Sequence, residues 1–66
     1  MNIGDTYIIR IEVEGRLFTY TGKIISEDDD FVTFTDKYNK TFSYNKKNII
    51  SFEEVSEWIF HKKTRG

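Results

Sequence analysis

The chain has 66 residues and a mass of 7.9 kDa, enough for one domain and a small core. Eleven aromatic residues and a 38% hydrophobic content put the chain on the globular side, and the absence of cysteine excludes a disulfide framework or a thiolate zinc site. The net charge of −1 hides an asymmetry: residues 1–36 hold three basic and eight acidic side chains, residues 37–66 seven basic and three acidic.

The apolar runs are short, the longest being of the kind Trp58-Ile59-Phe60, and Met1–Asp5 has neither a charged n-region nor an apolar stretch. No membrane span or secretory signal is expected, so a cytoplasmic location is the default. The chain reads as a single domain, 1–66, with strands over about 7–52 and a helix over about 52–62.

Tyr7–Val13 alternates, placing Tyr7, Ile9, Ile11 and Val13 on one face, the period of a half-buried strand. Glu14-Gly15-Arg16 supplies a turn. Leu17–Ile25 is β-branched and aromatic, with Phe18, Tyr20 and Ile24 sharing a face. Gly22 inside this second strand predicts a sharp bend or a close backbone approach.

The acidic run Ser26–Asp30 is a loop. Phe31–Thr35 is a third strand, Lys37–Lys40 a tight turn, Thr41–Tyr44 a fourth strand, and Ile49–Phe52 a short fifth. Beyond it the period changes: Phe52, Val55 and Ile59 recur at helical spacing, and Ser51-Phe52-Glu53-Glu54 matches a capping box. Acids at the start and bases at the end suit a C-terminal helix, a strand continuing to Phe60 being the alternative.

Five short strands around a bent second strand predict an all-β, SH3-like small barrel with a C-terminal helix. Gly22-Lys23-Ile24-Ile25-Ser26-Glu27-Asp28 followed by Phe31-Val32-Thr33-Phe34, and Lys46-Lys47-Asn48-Ile49-Ile50-Ser51, are the stretches that carry a family resemblance. Over Leu17–Phe52 the chain resembles the Sm-like proteins, most closely the bacterial Hfq type. Asn48 stands where that family's second motif has a histidine. The resemblance implies a ring of subunits, joined through strands four and five, that binds single-stranded RNA.

The residues themselves argue against catalysis: there is no Cys, and the single histidine, His61, falls near the end of the expected helix. No glycine-rich phosphate loop is spaced for a nucleotide, Glu27–Asp30 lacks the spacing of a calcium loop, and no cofactor or metal is expected. Lys37, Lys40, Lys46 and Lys47, with Tyr38 and Asn48, form the stretch most like a nucleic-acid surface, offering cations for phosphate and a ring for base stacking. Phe42 and Tyr44 share a strand face and are assigned to the core. A protein interface is the second expectation, made by Asp28, Asp29 and Asp30 in the acidic loop or by Trp58 and Phe60 near the C-terminus. Phe60 lies about 100° from Ile59 on a helix and falls off its apolar stripe.

Overall fold

The computed structural model describes residues 1–55. They form a five-stranded antiparallel sheet: β1 (Thr6–Val13), β2 (Arg16–Glu27), β3 (Phe31–Thr35), β4 (Thr41–Asn45) and β5 (Ile49–Glu54), in the order β4-β3-β2-β1-β5. A 3-10 turn, Lys46–Asn48, joins β4 to β5. The expected strands fall where alternation put them, with β1, β4 and β5 each a residue or two longer and β2 three longer, so that Ser26 and Glu27, expected in the acidic loop, are strand residues paired with Thr33 and Val32.

The C-terminal helix expected from residue 52 is corrected by this topology. Phe52, Glu53 and Glu54 belong to β5, where Phe52 pairs with Ile9, Glu53 with Ile8 and Glu54 with Tyr7. The Ser51–Glu54 capping pattern loses because β1 has a free edge to pair and the Tyr7 ring meets Phe52 edge-on, centroids 5.8 Å apart. Val55 extends the contact by donating its N–H to the Thr6 carbonyl at 2.8 Å. The rest of the expected helix, with Trp58 and Phe60, lies outside the described residues.

β2 serves two partners in sequence. Its first eight residues, Arg16–Lys23, pair with β1, and Lys23–Glu27 pair with β3. The change of partner falls at Lys23, immediately after Gly22. A Cβ at Gly22 would press into the Phe34 ring, with the Phe34 Cγ and Cβ only 3.0 and 3.2 Å away. Just beyond, the register skips so that Ile25 is left as the extra residue of a bulge; Ile50 is the corresponding extra residue in β5. Where β2 leaves β1, the chain start takes over, Gly4 donating to the Ile24 carbonyl and Ile24 to the Asp5 carbonyl.

These bulges curl the sheet. β4 and β5 are its two edges, about 19 Å apart in a flat five-stranded sheet. The four steps from Asn45 to Ile49 span at most about 14 Å even fully extended, so only a curled sheet accommodates them. The curl encloses Ile9, Ile11, Ile24, Val32 and Phe34, all fully buried, with Tyr7 nearly so; Val13, Tyr20, Phe42 and Tyr44 pack at its margin. Closure stops there: β4 and β5 form no ladder with each other, so the expected barrel is an open curled sheet.

Candidate functional site

The six residues grouped by sequence as a nucleic-acid surface divide in two. Lys37, Tyr38 and Lys40 sit in the β3–β4 turn, Lys46, Lys47 and Asn48 in the 3-10 turn, and all of β4 runs between them. At about 3.3 Å per residue, that strand separates Lys40 from Lys46 by roughly 20 Å.

The 3-10 turn is an anchor. Asn45 caps it, its Oδ1 accepting the Lys47 N–H at 2.9 Å, and the Asn48 Nδ2 donates to the Glu12 carbonyl at 2.9 Å. Lys46 reaches the Glu27 carboxylate, Nζ to Oε2 2.7 Å, while the Met1 ammonium approaches the other oxygen at 3.5 Å. The hydrogen bond from the Lys46 ammonium, joined by the charge of the chain start, holds the Glu27 carboxyl below the usual range against the opposing cost of burial. Of this group only the Lys47 side chain points outward without a partner among the described residues.

The β3–β4 turn is built to hold its side chains out. Asp36 Oδ1 accepts from both the Tyr38 and the Lys40 backbone N–H at 2.9 Å, its own N–H donates to the Lys40 carbonyl, and its carbonyl accepts the Asn39 N–H. Asn39 takes the left-handed conformation this needs, φ 64°, which asparagine tolerates well. Tyr38 is left 70% exposed, with the Lys37 ammonium over its ring at 5.3 Å from the centroid.

A shallow depression of about 280 Å³ lies beside this turn, lined by Thr19, Tyr20, Thr21, Asp36, Lys37 and Tyr38. It exists because β3 joins β2 only from Lys23 onward. Residues 16–22 of β2 pair with β1 alone, and the Asp36–Lys40 turn stands opposite their unpaired edge. Sequence reasoning passed over Thr19, Thr21 and Asp36. Asp36 had a legible signal, an acid two residues before Tyr38 and four before Lys40, the spacing of an Asx turn; the threonines had none, since their exposure depends on where β3 ends.

Behind the depression the Tyr20 ring packs against Phe34, Phe42 and Tyr44, and the Tyr20 and Tyr44 hydroxyls share a 2.7 Å hydrogen bond. That bond, with burial second, pushes the Tyr20 hydroxyl up to about 12. Phe42 and Tyr44 therefore serve the core margin, as alternation indicated.

The acidic loop is also internally engaged. Asp28 Oδ1 accepts from the Phe31 and Asp30 N–H groups at 2.7 and 2.8 Å, which hold its carboxyl below the usual range. Asp30 gives its carbonyl to the Lys46 N–H. Asp29 and Asp30 keep exposed side chains. Among the described residues no group of three His, Asp or Glu side chains is placed to hold a metal ion, and no helix is long and apolar enough to cross a membrane. No protein family, curated protein or solved structure matches the chain.

Proposed function

We propose that this protein is a non-enzymatic binding module for single-stranded RNA or a related nucleic acid, acting through the β3–β4 turn. The observation that carries the reading is Tyr38, an exposed ring on a turn fixed by the two Asp36 hydrogen bonds, with Lys37 and Lys40 as cations beside it. A turn whose backbone is already ordered presents the ring to a base at a reduced ordering cost, and lysines on either side meet the flanking phosphates. Lys47 is a distant auxiliary contact in this reading; Lys46 and Asn48 are structural.

The fold side of the proposal is an opened SH3-like barrel. The long β2 shared between two neighbours, the 3-10 turn before β5 and the curled sheet support it, and the Sm-like resemblance over Leu17–Phe52 supplies its frame. A protein interface is the second reading. The edges of β4 and β5, unpaired among the described residues, favour it, since an exposed edge offers a row of backbone donors and acceptors to another chain, including a second copy.

Fluorescence anisotropy with a labelled oligouridylate tests the first reading. Tyr38→Ala is expected to lose about 1–3 kcal/mol of binding. Lys37→Ala and Lys40→Ala are each expected to lower the slope of log K against log salt by about 1. An absence of binding at low salt, or variants that bind as the parent does, would refute the assignment.

A further inference from the structure

The depression beside Tyr38 carries a chemical preference as well as a stacking surface. Asp36 Oδ1 already accepts two backbone N–H groups, which occupy the two lone pairs of a carboxylate oxygen. Oδ2 of the same carboxylate makes no hydrogen bond or ion pair among the described residues, and Asp36 is one of the six residues lining the depression. A base entering there meets an anionic acceptor that the turn holds in place.

The four RNA bases answer that acceptor differently. Guanine presents two adjacent donors, N1–H and the N2 amine, on its Watson–Crick edge. Adenine and cytosine each set one amine beside a ring nitrogen whose lone pair repels a carboxylate. Uracil sets its single N–H between two carbonyl oxygens.

We propose that the depression takes an unpaired guanine of a nucleic-acid strand, stacked on the face of Tyr38 that Lys37 leaves open, with N1–H and N2–H donating to Asp36 Oδ2. Lys37 and Lys40 hold the phosphates on either side, and Thr19 and Thr21 complete the wall. The assignment rests on the nucleic-acid reading of the turn and adds its base preference.

The test uses the whole chain and labelled oligouridylates that differ at one central position. Guanosine there is expected to bind about tenfold more tightly than uridine, the size of one good charged base contact. Inosine, which lacks the N2 amine, is expected to lose most of that gain. Asp36→Asn keeps an oxygen for the Tyr38 and Lys40 N–H groups but puts a donor in place of Oδ2, so its guanosine and uridine oligonucleotides are expected to bind alike. An unchanged thermal midpoint checks that the turn survives in this variant. Guanosine monophosphate keeps the base and only one phosphate, so it is expected to displace the strand only at concentrations far above that of the oligonucleotide; displacement at equal concentration would reassign the site to a free nucleotide and overturn the proposal.

Equal affinity for all central bases, still lost in Tyr38→Ala, would overturn the guanine assignment while leaving the nucleic-acid reading intact. A guanine preference that survives in Asp36→Asn would overturn it as well. No binding to any of the oligonucleotides would overturn both.

Discussion

A methyl group placed on Gly22 would push into the Phe34 ring, and Phe34 is itself fully buried, so the ring has no solvent side to move toward. Gly22→Ala is therefore expected to cost about 1–3 kcal/mol in urea denaturation, the usual penalty for overpacking a close-packed site. The β1–β2 hairpin presents the opposite case. Glu14 and Gly15 both have positive φ, 51° and 80°, as a two-residue loop between right-twisted strands requires. Glutamate pays for that conformation where asparagine pays less, so Glu14→Asn is expected to raise stability by about 0.5–1 kcal/mol in the same assay. This turn was legible as Glu14-Gly15-Arg16; the close approach at Gly22 was legible too, but its partner was not, because Phe34 lies twelve residues away on another strand.

Three ionisable side chains give the stability a defined pH profile. Glu27 and Asp28 have folded pKa values below their unfolded ones, from the Lys46 ammonium and from backbone N–H groups respectively. Their contribution is complete above the ordinary carboxylate range and is lost as pH falls through the lowered values. Tyr20 runs the other way: its hydroxyl is raised from 10.0 to about 12, so its contribution is complete below 10 and is lost as pH rises through 12. Denaturant midpoints measured across pH are expected to fall at both ends. Asp28→Asn should flatten the acid limb, and Tyr44→Phe should return Tyr20 toward its ordinary value in a tyrosinate absorbance titration.

At the level of elements, the 3-10 turn and the β3–β4 turn look alike in sequence, each a pair of lysines beside an asparagine. The structure separates their duties. Lys46 is held by Glu27, nineteen residues back along the chain, and Asn48 by the β1 backbone, whereas Lys37 and Lys40 project from a turn whose hydrogen bonds are all internal. Lys46→Ala is accordingly expected to cost at most about 1 kcal/mol of stability, as partly exposed ion pairs do. It should leave oligouridylate affinity within about twofold of the parent, in contrast to the loss expected for Lys37→Ala. The sequence marked both turns as basic because lysines are visible there. It could not mark one of them as engaged, because the carboxylate that engages it arrives through the β2–β3 pairing.

For the whole molecule, the decisive feature is a sheet that curls without closing. Among the described residues β4 and β5 keep unpaired edges, and β5 exposes Ile50 and Phe52 by half or more. With acidic and basic halves in one chain, edge pairing between copies is the assembly we expect: light scattering should report a mass above 7.9 kDa at low salt, and Ile50→Lys should lower it. A monomer at all protein concentrations would remove self-association and leave the β3–β4 turn unaffected.

The sequence by itself determined the five strands, the turns between them and most of the buried face. Alternation, β-branching and turn chemistry act over neighbouring residues, and in Tyr7–Val13 or Phe31–Thr35 they agree with one another. The tertiary structure alone decided that Ser51–Glu54 is strand, because an open edge of β1 outweighed a local capping pattern. It also decided that β2 changes partners at Lys23, which left Thr19–Thr21 uncovered opposite Asp36 and Tyr38. Those outcomes depend on pairings between distant segments, whose free energy appears only once the chain has folded.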